Sequence, residues 1–224
     1  MEKRDHFNIE EGKTMREPVN TWTHFITFLA GIVGLVFLII SSHGDTAKLI
    51  TMTIYGLSII MLYGASTMYH WAETSPERQF TLRKLDHMSI FILIAGTYTP
   101  VFYYGLDGTW RWVMLSVIWG LALMGMVLKM FFTGTARSVS TAIYIALGWM
   151  VLVPLFKLIR SLPTGAMVFM FLGGVAYTTG GIIYATKSLK FLPEKLGFHE
   201  VFHIFISLGS ILHFVMIVRY IIPM

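Results

Sequence analysis

The chain has no cysteine, which excludes disulfides and thiolate metal ligands and removes any redox clue to compartment. Charge is scarce as well. Only 13% of the 224 residues are Asp, Glu, Lys or Arg, far below the share found in a soluble domain. The basic residues are scattered through short polar segments rather than gathered into one patch, so nucleic-acid binding is excluded. Residues 1–16 are polar and mixed in charge, without the apolar core and small-residue cleavage site of a secretory signal. The first hydrophobic segment is therefore expected to act as its own insertion signal. What fills the chain is apolar: 55% of residues are hydrophobic and the mean hydropathy is +0.68. Apolar runs of about 20 residues recur along its length, each able to cross the roughly 30 Å hydrocarbon layer. An integral membrane protein is expected.

The runs predict an all-α bundle of seven transmembrane helices near 21–41, 47–70, 84–105, 110–131, 139–157, 165–186 and 198–221. Turn chemistry separates them, including Ser41-Ser42-His43-Gly44-Asp45, Leu106-Asp107-Gly108, Phe132-Thr133-Gly134 and Leu192-Pro193. Ser75-Pro76-Glu77 reads as a helix cap and first turn, so the third helix can begin there as a polar extension. Ala30 and Gly34, and Gly173, Gly174, Gly180 and Gly181, are expected at close helix contacts. The division expected is a polar cytoplasmic segment over 1–16 and one transmembrane domain over 17–224. Seven spans place 12 Lys and Arg with the N-terminus and the second, fourth and sixth loops, against 5 on the other side. By the positive-inside rule the N-terminus is cytoplasmic and the C-terminus outside.

This topology brings distant ionisable residues to one leaflet, where such groups are costly and mark function. His199 and His203 begin the seventh span, four residues apart. On a helix that is an offset of about 40° and a rise of about 6 Å, so both rings face one way and can grip one ion. His70 ends the second span and Asp86 begins the third, both at the same cytoplasmic end. Ser66 lies four residues before His70, on its face. Three neutral imidazoles and a water make the open zinc arrangement that ionises water near neutrality. Asp86 suits the role of proton acceptor, and Ser66 that of donor to a developing oxyanion. Packing alternatives exist for each: Asp86 can pair with Arg83, Lys84 or His87, and Ser66 can bond back to its own helix. The stripe Glu17, Asn20 and His24 on the first span reads as interhelical glue or a capping network. His213 reads as a buried hydrogen-bonding residue, His6 and His43 as solvated, and Trp110 and Trp112 as interfacial anchors.

His199-Glu200-Val201-Phe202-His203 also satisfies H-E-x-x-H, the zinc-protease motif with Glu as general base. The further Asp ligand of intramembrane proteases has no counterpart here. Asp107, in the one Asp-Gly that invites the comparison, sits on the outer side and precedes the motif instead of following it. Glu200 lies about 60–100° around the helix from the two His and can equally face Lys195 or Arg83.

Taken together, Ser66-x-x-x-His70, Asp86 early in the next span and His199-x-x-x-His203 resemble the progestin and adipoQ receptor family. Glu17-x-x-Asn20-x-x-Thr23-His24 and Tyr69-His70-Trp71 resemble its bacterial branch, hemolysin III. The likeness covers nearly the whole chain after residue 16. It implies a seven-helix, multi-pass protein of the bacterial plasma membrane, N-terminus inside, with zinc held by His70, His199 and His203. It also implies Asp86 at the metal's water, with Ser66 nearby. Related alkaline ceramidases hydrolyse lipid amides with a similar arrangement, and eukaryotic receptors of the family are associated with ceramidase activity. Receptors can carry other residues between the two His, so Glu200 is not taken as essential. The receptors' long hormone-binding N-terminal region has no counterpart, and no protein ligand is expected.

The leading expectation is thus a zinc-dependent hydrolase of an amide or ester in a membrane lipid, with the lipid as substrate or ligand. The alternatives are a non-enzymatic lipid sensor or scaffold with structural zinc, and a cytolytic pore. Few polar stripes line the spans, which counts against a water path. Asp86 and Glu200 lie at one end rather than mid-bilayer, which argues against a secondary transporter.

Overall fold

A computed structural model describes residues 15–132, 134–189 and 196–224. The expectations for His6, Thr133, Pro193, Lys195 and nearly all of segment 1–16 lie outside the described residues. Among those described, regular structure is helical. The order is α1 (Pro18–Ser41), α2 (Thr46–Trp71), α3 (Pro76–Gly105), α4 (Gly108–Phe131), α5 (Arg137–Gly148), α6 (Leu155–Ser161), α7 (Thr164–Thr186) and α8 (Phe198–Met216). A tight turn at Met150–Leu152 joins α5 to α6, and a wider turn at Ile217–Ile221 extends α8. Among the described residues six helices are long and apolar enough to cross a membrane, or up to seven spans if the bent α5/α6 pair counts as one.

Local chemistry sets the boundaries. The Asp45 carboxylate accepts from the Lys48 backbone N–H at 2.9 Å and starts α2. Ser75 accepts from the Arg78 N–H at 3.4 Å with Pro76 next in line, so α3 begins at Pro76 and carries Arg78 and Arg83 on a polar first stretch. On α1 the residues Ile26, Val33 and Ile40, spaced by sevens, are 63%, 70% and 69% exposed. In lipid such an outward apolar stripe needs no further partner. At the α1–α2 contact Gly31 lies beside Ile59 and Gly56 beside Leu35, and Gly34 meets Phe214 of α8 as expected. Ala30, expected at a close helix contact, faces outward because the helix turns about 100° per residue. Gly173 and Gly180 meet His213 and Phe205 across the α7–α8 contact, as their size predicts.

The expected fifth span, 139–157, is broken. Pro154 has no N–H to donate and its ring crowds the carbonyl four residues back, at Met150. Regular α-helix therefore gives way to the tight turn at Met150–Leu152 between the end of α5 at Gly148 and α6, with a bend of 53°. Backbone groups freed by a break inside lipid must find partners within the protein. Tyr98 on α3 supplies them: its hydroxyl donates to the Gly148 carbonyl and accepts from the Val151 N–H at 3.0 Å. Trp149 Nε1 donates to Thr178 Oγ1 at 2.9 Å and ties the same point to α7. Removing the hydroxyl strands the buried Val151 N–H and leaves the Gly148 carbonyl without this donor, so Tyr98→Phe should lower stability by about 1–3 kcal/mol. Thermal unfolding in a neutral detergent reads this directly; an unchanged midpoint would mean the break is held by something else.

Candidate metal centre

Three imidazoles meet at one end of the bundle. His70 comes from the last turn of α2; His199 and His203 come from the first turns of α8, started by Gly197. One nitrogen from each lies within 4.8 Å of the others. The ring centroids form a nearly regular triangle, with sides of 5.1 Å (His70–His199), 4.8 Å (His70–His203) and 4.8 Å (His199–His203). Tetrahedral zinc with bonds of about 2.0–2.1 Å needs donor atoms roughly 3.4 Å apart, a difference that small ring rotations close. His70 and His203 are 1% and 2% exposed, and the His203 Nδ1 is buried with no hydrogen-bond partner. A cluster of buried, under-partnered imidazoles is poor packing for its own sake and fits a bound cation.

The first turn of the bundle orients this set. Glu17, just before α1, accepts from His70 Nδ1 at 2.7 Å with its Oε2, which also lies 3.8 Å from His199 Nδ1. Its backbone N–H donates to the His70 carbonyl at 3.1 Å. Asn20 donates to the same carboxylate at 2.8 Å, and Arg16 pairs with its other oxygen at 3.0 Å. Burial opposes ionisation of Glu17, yet His70, Asn20 and Arg16 together hold its carboxyl at about 2, so it is a carboxylate at neutral pH. A carboxylate on Nδ1 leaves Nε2 of His70 as the basic, outward-facing donor, the usual outer arrangement behind a metal-binding histidine.

His24 is the fourth imidazole of the cluster. It stacks on His203 at 3.7 Å between centroids, and its Nδ1 is 2.8 Å from Ser66 Oγ. The stripe Glu17, Asn20 and His24 therefore does more than glue helices: it forms the wall behind the three histidines. The regular i, i+3, i+7 spacing was the available signal, but spacing alone does not say what a polar stripe faces. Glu200 turns away from the triad toward α1, its Oε1 accepting from Asn20 at 3.3 Å.

Asp86 and Ser66 line one cavity with His24, His199 and His203, of about 470 Å³. Of the three neighbours considered for Asp86, His87 comes close, Nδ1 to Oδ2 at 3.3 Å, though that nitrogen lies nearer the Arg83 carbonyl at 2.8 Å. Lys84 donates instead to the Met130 carbonyl. The cavity continues down the bundle past Tyr98 and Tyr177 to His213 and Met216. His213 is hydrogen-bonded as expected, its Nε2 3.1 Å from the Met170 carbonyl. Trp110 and Trp112 are exposed at the start of α4, where an interfacial anchor belongs.

The chain matches the family model described as Haemolysin-III related over residues 13–214. It is 36% identical over 211 residues to Hemolysin-3 of Bacillus cereus, covering 92% of each chain. It is likewise 36% identical over 210 residues to the Hemolysin-3 homolog of Bacillus subtilis (strain 168), covering 92% of this chain and 95% of the relative. More distantly, it is 23% identical over 218 residues to the Adiponectin receptor protein of Drosophila melanogaster, which is 88% of this chain and 49% of that one. A helical bundle with six or seven apolar spans, matched over about nine-tenths of its length by the two bacterial relatives, belongs to the haemolysin-III-related family of multi-pass membrane proteins, the bacterial branch of the progestin and adipoQ receptors.

Proposed function

We propose that this protein is a seven-span, zinc-dependent hydrolase that cleaves an amide or ester linkage of a membrane lipid at the cytoplasmic end of its bundle. The observation that carries the reading is the junction of two features. Three histidines with free nitrogens converge on one point, and the cavity that two of them line runs deep among apolar side chains. A headgroup linkage would sit at the histidines while an acyl chain fills the depth.

Zinc held by His70, His199 and His203 would supply Lewis acidity and a water that ionises near neutral pH. The protein's own groups do the rest. Asp86 takes up a proton at its carboxylate and returns it to the leaving group. If His24 Nδ1 donates to Ser66 Oγ, the Ser66 proton is free to point at the carbonyl oxygen as charge develops there. Glu17 holds the His70 ring and its tautomer. The apolar walls exclude bulk water.

A second reading rests on Glu17. Its carboxylate joins the start of α1 to histidines of α2 and α8, so an ion here would also staple three helices, and the site would serve a lipid sensor without turnover. The two readings part at Asp86. Under hydrolysis, Asp86→Asn keeps its zinc yet loses turnover by about 10²–10⁴-fold; under stapling, wild type cleaves no lipid. Elemental analysis beside mass spectrometry of lipids incubated with each protein reads both. Wild type should carry about one zinc per chain and His199→Ala little or none, a three-imidazole site being the minimum for an open tetrahedral centre.

Glu17→Gln keeps the shape but removes the charge behind His70. It should weaken metal retention by about 10–100-fold, measured by competition with a chromophoric chelator; equal retention would reduce Glu17 to a helix contact. The orientation has its own check. Reporters inserted at Ser75 and Gly197 should report the cytoplasm, and reporters at Gly44 and Asp107 the outside. Opposite sides for Ser75 and Gly197 would end the shared site.

A further inference from the structure

The cavity mouth is cationic in a way the hydrolytic chemistry does not require. Arg83 and Lys84 of α3, Lys129 of α4 and Arg137 of α5 all line it. Among the described residues none of the four makes a salt bridge. Of the two carboxylates on the same lining, Glu17 is held by His70 and Arg16 and Asp86 lies 3.3 Å from His87; among the described residues neither pairs with any of the four cations. Lys84, next to Arg83, reaches the carbonyl of Met130, next to Lys129, so the α3 and α4 cations meet at one place. Lys84, Lys129 and Arg137 are half-buried and Arg83 is exposed; cations gathered in this way repel one another, a cost that an anion would relieve.

Helix-end preference explains part of the pattern but not all of it. Lys84 and Arg137 each give a donor to a carbonyl near a helix C-terminus, Met130 of α4 and Tyr184 of α7. Arg137 keeps the remainder of its fork, and Arg83 and Lys129 bind no such carbonyl. Lys129 reaches across to Ser140 Oγ at 2.5 Å, on the α5 turn that follows Arg137. Other basic residues near this end, Arg78 and Lys187, do not line the cavity. One of the cations is linked to the histidines through an aromatic ring. The Arg137 guanidinium lies 4.9 Å from the centre of the Tyr184 ring, whose centroid is 5.3 Å from that of His199.

We propose that this cavity selects an amphiphile with a phosphate-type anionic headgroup, bound at the mouth by Arg83, Lys129 and Arg137 while its acyl chain lies in the apolar depth. The inference rests on the reading of the cavity as a lipid site, and it narrows the substrate class from any lipid amide or ester to an anionic one. A guanidinium fork and an ammonium together match the several acceptor oxygens of a phosphate. The same cations would hold a cleavable linkage, a few bonds from the phosphate, against the three histidines.

Binding alone tests this, without turnover, so its failure is distinct from failure of the hydrolytic reading. The full-length, zinc-loaded protein in a neutral maltoside detergent is offered dodecyl phosphate, dodecyl glycerol ether or glycerol phosphate, and retained probe is counted by native mass spectrometry. Dodecyl phosphate should bind at least about tenfold more tightly than the uncharged ether, the scale of one charge-assisted hydrogen bond. It should also weaken as salt rises. Arg83→Gln with Lys129→Gln should bring the two alkyl probes to near parity while zinc content stays at the wild-type level. Equal binding of the two alkyl probes by wild type overturns the proposal, and that comparison stands even if the double variant does not fold. Glycerol phosphate binding as tightly as dodecyl phosphate overturns it too, because the site would then serve a free phosphate ester.

Discussion

The Glu17 carboxylate is the contact on which the polar end of this bundle depends. It precedes the first helix, accepts from His70 at the end of the second and lies within 3.8 Å of His199 at the start of the last. Four imidazoles packed together at a helical-bundle end would otherwise be a liability, since their nitrogens need partners that apolar neighbours cannot give. A single ionised group, itself supported by Asn20 and Arg16, holds the His70 ring directly and lies beside that of His199. Without that charge the His70 Nδ1 loses its acceptor.

The same requirement, that polar groups be satisfied from within, governs the apolar middle. Where Pro154 breaks the path from α5 to α6, the Tyr98 hydroxyl takes up the freed carbonyl and N–H. Nearer the histidines, Tyr63, whose ring centroid is 4.9 Å from that of His24, and Tyr177 share Ser210 as a common partner, each at 2.7 Å. These bonds fasten α2, α7 and α8 to one another and α3 to the end of α5. The outward faces need only be apolar, and they are: Val33 and Phe156 are 70% and 80% exposed. Polar matching therefore does the specific work inside, and the lipid tolerates almost any apolar residue outside.

Several features were open to reading from residues alone. Apolar run lengths marked the spans, and Ser75-Pro76 announced the polar start of α3. The i, i+4 spacing of His199 and His203, taken with a topology that puts His70 at the same end, was enough to propose the triad. The fifth span was misjudged as continuous. Its hydropathy survives the break, and the partners that hold the bend, Tyr98 of α3 and Thr178 of α7, lie across the bundle. Ala30 was misplaced for a simpler reason: one residue of helical rotation separates a packed face from a lipid-facing one, and a window of apolar residues does not register which is which.

Composition and periodicity were sufficient to make this an all-helical membrane protein with ionisable residues grouped at one end, because crossing a bilayer imposes length and hydropathy on each segment independently. Direction across the interior belongs to the tertiary structure. That Glu17 faces His70, that His24 stacks on His203 and that Glu200 turns to Asn20 depend on how the helices rotate against one another. Such rotations are set by packing among segments far apart in the chain, and no single stretch of sequence carries them.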